Sequence, residues 1–182
     1  MSDATATKSL LPTGTWQVDP VHSQVSFAVD YHVGTFRGTF SPITGTLAVA
    51  EDGSAALTGS VSASGVKVDA EQLFGHLQSP EFFDAERTPE LSFRSSAIRP
   101  AGEGIEVEGE LSIRGVAVPV LARGTVREPT TYAEREYLGL SLETSVDRTK
   151  FGLNWNNTLP DGRPALANEV RINVDLYLVK QQ

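Results

Sequence analysis

Asn168-Glu169-Val170-Arg171-Ile172-Asn173-Val174-Asp175-Leu176-Tyr177-Leu178-Val179 alternates between apolar and polar residues over most of its length. Val170, Ile172, Val174, Leu176 and Leu178 share one parity; Arg171, Asn173 and Asp175 share the other. Successive side chains of an extended chain point to opposite faces, so this period of two describes a strand with one face buried. The same pattern recurs on working back toward the N-terminus. Leu138, Leu140, Leu142 and Thr144 share a face of Tyr137 to Val146, and Ile105, Val107, Gly109, Leu111 and Ile113 alternate with Glu106, Glu108 and Glu110. Val116 to Arg127, Leu91 to Ala97 and Leu57 to Val68 read as further strands. Thr35 to Ala50 is strand interrupted by Gly38, Pro42 and Gly45. Val25, Phe27, Val29, Tyr31 and Val33 complete the set, against Gln24, Ser26, Ala28, Asp30 and His32. Turn residues fall between these runs at Glu51 to Ser54, Pro100 to Gly104 and Arg114-Gly115, and Pro129 to Arg135 reads as a polar loop.

One segment breaks the alternation. Asp69 followed by Gln72 resembles a capping box, and Leu73, Phe74 and Leu77 fall at helical spacing. Ser79-Pro80 then reads as a cap with proline at the first helical position, opening a short turn through Phe82 and Phe83. The insert from Asp69 to Asp84 is expected to pack across one mouth of the sheet structure and to act as a lid.

An antiparallel sheet of so many strands has exposed edges unless it closes on itself. The expected fold is all-β: a closed antiparallel barrel of about eight strands with one short helical insert. Residues 1–13 are small, polar and aperiodic and are expected to form a disordered tail, with the barrel domain spanning 14–182. Eight strands leave an interior wide enough for side chains or one small ligand. Strands of ten or so residues make that interior on the order of 30 Å deep, a shape suited to a long apolar molecule.

Composition narrows the function. The chain has 182 residues, a formal net charge of -8 and no cysteine. A phosphate backbone needs a basic face, so nucleic acid is not an expected partner. Disulfides and thiolate chemistry are excluded. No stretch approaches the ~18 apolar residues of a membrane-spanning helix, and Met1 to Pro12 lacks the apolar core of a secretion signal, so a cytoplasmic location is expected. His22 and His32 lie ten residues apart, roughly 33 Å along a straight strand, and no H-E-x-x-H spacing occurs. No metal, catalytic residue or cofactor is expected.

Several motifs then point to a family. Trp16-Gln17-Val18-Asp19-Pro20-Val21-His22-Ser23 resembles the W-x-x-D-P-x-H-S opening of YceI-like proteins. Val25 to Val29, His32, Gly38-Thr39-Phe40 and Gly45 fit the same pattern. His76-Leu77-Gln78-Ser79-Pro80-Glu81-Phe82-Phe83-Asp84 resembles H-L-x-S-x-x-F-F-D. Pro89 to Phe93, Gly109 to Val116 and Arg148-Thr149-Lys150-Phe151-Gly152-Leu153 resemble its later motifs in colinear order. The resemblance implies a lipocalin-like barrel enclosing a polyisoprenoid or isoprenoid quinone, and a homodimer. Many relatives carry a secretion signal. Leu73-Phe74 stand where the family commonly has Arg-Asp, which exchanges two charges for two apolar groups.

The expected ligand contacts are the apolar faces of this barrel. On strands they are Phe27, Val29 and Tyr31, then Phe40, Phe93, Leu111 and Leu140, and finally Ile172 and Val174. The insert adds Phe74, His76, Leu77, Phe82 and Phe83, and Trp155 is included from the late loop. Two other readings compete. The chain could be an enzyme acting on a hydrophobic small molecule, with His76 beside Asp84 or Arg148 as its polar dyad. It could also be a barrel whose core is simply filled.

Overall fold

A computed structural model describes residues 11–182. Eleven strand segments appear in chain order: β1 (Gly14–Val18), β2 (Gln24–Tyr31), β3 (Gly34–Phe40), β4 (Ile43–Val49), β5 (Ala55–Ser62), β6 (Val66–Lys67), β7 (Glu90–Ala101), β8 (Gly104–Ile113), β9 (Val116–Tyr132), β10 (Arg135–Asp147) and β11 (Leu166–Lys180). One helix, α1 (Glu71–Gln78), lies between β6 and β7.

All the segments belong to one antiparallel sheet, and pairing of β1 with β11 closes it. The expected count of about eight agrees with the structure once broken strands are joined. β1 and β2 both pair with β11, at Leu178–Lys180 and Leu166–Asp175 respectively. β3 and β4 are likewise one strand interrupted at Ser41-Pro42, and β5 continues into β6 through a single helical turn at Ala63–Gly65. Eight composite strands therefore ring the barrel.

The register defines two ends. The β4–β5, β7–β8 and β9–β10 hairpins mark one end; α1, the β2–β3 and β8–β9 turns and the 152–165 loop mark the other. The first end is packed solid. Trp16, Leu47, Leu138, Leu178 and Val107 are buried there to 2% exposure or less, in a core that also holds Leu140 and Leu176. A second apolar cluster, including Phe40, Leu77, Phe83 and Phe151, occupies the helical end.

Three expectations are corrected. Residues 1–10 of the anticipated tail lie outside the described residues, but Leu11 is buried in the packed core, and Pro12 carbonyl oxygen accepts a 3.1 Å hydrogen bond from the Trp16 indole N–H. Leu11→Ala is therefore expected to cost about 2–4 kcal/mol in chemical denaturation, the range for truncating a buried leucine. Second, Pro129 to Arg135 is not a loop: β9 and β10 continue through it to a tight turn at Ala133-Glu134, both at positive φ. Third, the capping box is absent. Ala70 precedes the helix with no side-chain cap, and Ser79 ends it, donating its hydroxyl to the His76 carbonyl at 2.6 Å.

Candidate functional site: an apolar cavity under the helical end

Between the solid end and the helical end the barrel is hollow. A cavity of about 480 Å³ is walled by carbon almost throughout. Val18, Ile43, Leu57, Ala122 and Leu176 form its floor, where the packed core stops. The reading of a wholly filled barrel does not fit a cavity of this volume. At this size the cavity falls within the range of small-molecule sites.

Strand parity places most of the expected contacts. Phe27, Val29 and Tyr31 line the cavity from β2, Phe40 from β3, Phe93 from β7, Leu111 from β8, and Ile172 and Val174 from β11. His76, Leu77, Phe82, Phe83 and Trp155 line it from the helical end. Two expected residues do not. Leu140 has the inward parity, but it sits inside the packed core at 2% exposure; alternation tells face and not depth. Phe74 is 37% exposed and points outward. On α1 the residues that face inward are Leu73, His76 and Leu77, spaced i, i+3 and i+4. Phe74, one position after Leu73, is turned about a quarter of the way round. Sequence reasoning also missed Leu73 and Phe36; the latter shares the parity of Phe40 on β3, so its signal was present. Leu153 and Leu166 line the cavity from a loop and its exit, where no periodicity exists to read.

The helical end is tied down on two sides. Arg148 is 4% exposed and has all five guanidinium donors engaged. Nε donates to Ala167 carbonyl oxygen at 2.8 Å, one terminal nitrogen to those of Leu153 (2.5 Å) and Trp155 (2.8 Å), and the other to Leu166 carbonyl oxygen (3.3 Å) and Asn168 Oδ1 (3.5 Å). Burial pushes its pKa below the ordinary value, opposed by neighbouring Asp147. Asp147 itself accepts from the Thr149 backbone N–H and hydroxyl, which hold its carboxyl below the usual range. Asn156 braces the same loop, donating to Leu166 carbonyl oxygen and accepting from Leu166 N–H, both at 2.8 Å. On the other side, Phe83 N–H bonds to Leu77 carbonyl oxygen, Ala85 N–H to that of Gln78, and Gln78 Nε2 to that of Ala63.

Between the two sides three rings meet at the rim. His76 stands edge-on to Phe82 and to Trp155, each with centroids 4.8 Å apart at 88°, and its Nε2 lies 2.6 Å from Glu81. The polar dyads named for an enzyme therefore do not form: His76 pairs with Glu81 rather than Asp84, and Arg148 serves backbone carbonyls. Removing both Phe82 and Trp155 by substitution with Ala is expected to weaken binding of an apolar probe at least tenfold. Both are only partly buried, so the thermal midpoint should move by no more than a few degrees; a larger fall would identify the rim as structural core.

A closed antiparallel barrel, solid at one end and hollow and carbon-lined at the other, defines a container of lipocalin type. Its sequence is specific enough to place it further. Residues 16–178 match the model of the YceI-like domain, and the chain belongs to that family. Among curated proteins it is similar to Protein YceI of Escherichia coli, 29% identical over 103 residues covering 54% of this chain and 53% of that one. In that match the chain spans about half the length of its relative. A UPF0312 protein of Staphylococcus epidermidis is 26% identical over 164 residues, covering 84% and 90%. Among solved structures, Burkholderia cenocepacia BcnA superposes with a TM-score of 0.73 at 22% identity, covering 90% of this chain and 99% of that one. A polyisoprenoid binding domain from Saccharophagus degradans, implicated in plant cell wall breakdown, gives 0.65 at 11% identity, covering 91% and 98%. These likenesses agree on the barrel.

Proposed function

We propose that the protein binds one long apolar lipid, a polyisoprenoid or an isoprenoid quinone, in the cavity of its helical half, for storage, transport or sequestration. The observation that carries this reading is the cavity itself: about 480 Å³ of carbon-walled space in a barrel otherwise packed solid. The name of the Saccharophagus degradans neighbour supports the ligand class. Energetics are adequate without any reaction. Each buried methylene contributes ~0.8 kcal/mol, so ten of them supply roughly 8 kcal/mol, on the order of a micromolar dissociation constant before association costs. No cofactor is required by such a role.

Organic extraction and mass spectrometry of protein purified from its native host test the reading. An isoprenoid lipid at about one per chain is expected. Protein that carries no lipid and takes up neither decylubiquinone nor solanesol in vitro would refute it. Decylubiquinone offers an optical readout, since quinones quench indole fluorescence and Trp155 lines the cavity while Trp16 lies in the solid end; Trp155→Phe should abolish most of the quenching. The proposal includes the homodimer, which sedimentation would register as a species of twice the 19.6 kDa chain mass.

A further inference from the structure

At the helical end Arg148, Asn156 and the hydrogen bonds of the insert hold the elements in place. The wall of the barrel is weaker. β9 pairs with β8 along its length from Val116 to Gly124, and β10 pairs with β11 from Tyr137 to Asp147. Between β9 and β10, however, the ladder stops at Arg123 opposite Glu143. Toward the helical end the two strands run on with no backbone pairing to each other among the described residues. Continuing the register would set Leu121 opposite Ser145 and Pro119 opposite Asp147.

Sequence and packing both account for this seam. Pro119 has no N–H and is tolerated in a strand where an edge is free. At Gly124 the strands are pressed together: a Cβ there would overlap the Ser141 carbonyl oxygen and come within 2.8 Å of Leu142 Cδ2. Beyond Arg123 the backbone ladder is not continued. One side-chain latch spans the gap, Thr144 Oγ1 donating to Leu121 carbonyl oxygen at 2.8 Å. The inner lip of the seam is cavity wall: Val120, Ala122, Thr144 and Val146 all line the hollow. Its outer face carries Pro119 and Leu121 of β9, the leucine 40% exposed, beside Glu143 and Ser145 of β10. An unpaired stretch of wall with an apolar inner face and an exposed leucine outside is a low-cost place for local opening.

We propose that the seam between β9 and β10 is a lateral portal through which an apolar chain enters and leaves the cavity, with Thr144 as its latch. This rests on the reading of the cavity as a lipid site. The chain would slide between strands without passing the helical end, its carbon surface moving from the outer lip at Leu121 to the inner lip at Val120 and Val146.

The chain has no cysteine, so the doubly substituted L121C/S145C protein can form only the disulfide that staples the seam from outside. Both positions point away from the cavity. With decylubiquinone as probe and Trp155 fluorescence as readout, the oxidised variant should release the quinone at least tenfold more slowly than its reduced form, and reductant should restore the rate. Equal release rates, with the cross-link verified by mass, would overturn the portal while leaving the lipid site intact. Failure of the unsubstituted protein to quench at all would overturn the site and the portal together. Amide hydrogen exchange on the unsubstituted chain gives a second decision that needs no variant. Amides of 120–121 and 145–146 directed into the seam should exchange at least a hundredfold faster than those of Val107 and Leu140; equal protection would show that the wall is closed there.

Discussion

Replacing Arg148 with Met is expected to lower the thermal midpoint by roughly 10–15 °C, the shift corresponding to about 3–5 kcal/mol in a chain of this size. The methionine approximates the volume of the arginine stem, so the loss comes from hydrogen bonding rather than from a void. Three backbone carbonyls, those of Leu153, Trp155 and Ala167, lose this donor together; the Leu166 carbonyl oxygen keeps that of Asn156, and Asn168 Oδ1 loses one also. Each buried acceptor left unsatisfied costs on the order of 1 kcal/mol or more. Arg148→Lys should recover only part of the loss, because an ammonium offers three donors where the guanidinium offers five in a fixed plane. The loop that Arg148 holds contains Trp155, so decylubiquinone binding should weaken in parallel with stability. A midpoint within about 2 °C of the unsubstituted protein would show that these bonds are made equally well by water. It would also show that Arg148 does not hold the helical end in place.

Gly124→Ala is expected to have an effect of similar size from the opposite cause, overcrowding. The added methyl group would overlap a backbone oxygen, that of Ser141, and backbone cannot move aside as a flexible side chain can. Gly104 repeats the arrangement one strand over, where a Cβ would overlap the Gly124 carbonyl oxygen. β8, β9 and β10 therefore approach so closely at Gly104 and Gly124 that neither position has room for a Cβ. Forcing them apart should cost about 3 kcal/mol, at the upper end for overpacking substitutions. Gly75→Ala is the control: nothing lies within 4 Å of its Cβ position in α1, and alanine there should be neutral or stabilise by up to ~1 kcal/mol. If Gly124→Ala unfolds at the same denaturant concentration as the unsubstituted protein, the strands do not cross so tightly.

Much of the fold was legible because strand burial is a local property. Each inward face of β2, β8, β10 and β11 announces itself by parity, and parity needs no knowledge of the partner strand. Joins and turns were harder. Ala133-Glu134 reverses the chain at positive φ without the glycine or asparagine that usually marks such a turn, so the hairpin was hidden in a polar stretch. The breaks between β1 and β2, β3 and β4, and β5 and β6 made eight strands read as a less definite number. On α1, three apolar residues at helical spacing suggested one face, but the choice between Leu73 and Phe74 as its inner edge depends on how the helix is seated.

What the amino-acid sequence determined by itself is therefore the class: an antiparallel barrel with an apolar interior, and through colinear motifs, its family. Where that interior is empty depends on the closed barrel as a whole. Leu140 and Leu142 have the same parity on the same strand, yet one is embedded in the solid end and the other lines the cavity. Parity assigns a side chain to a face, whereas filling depends on the summed volume of side chains arriving at one level from eight strands at once. Trp16 and Leu11, from the start of the chain, meet Leu138 and Leu178, more than a hundred residues away, and close that level. The rim and the seam follow the same logic. Arg148 becomes a brace, and Pro119 comes to lie beside a stretch of β10 that it does not pair with, because of which carbonyls and which strand the closed barrel sets beside them.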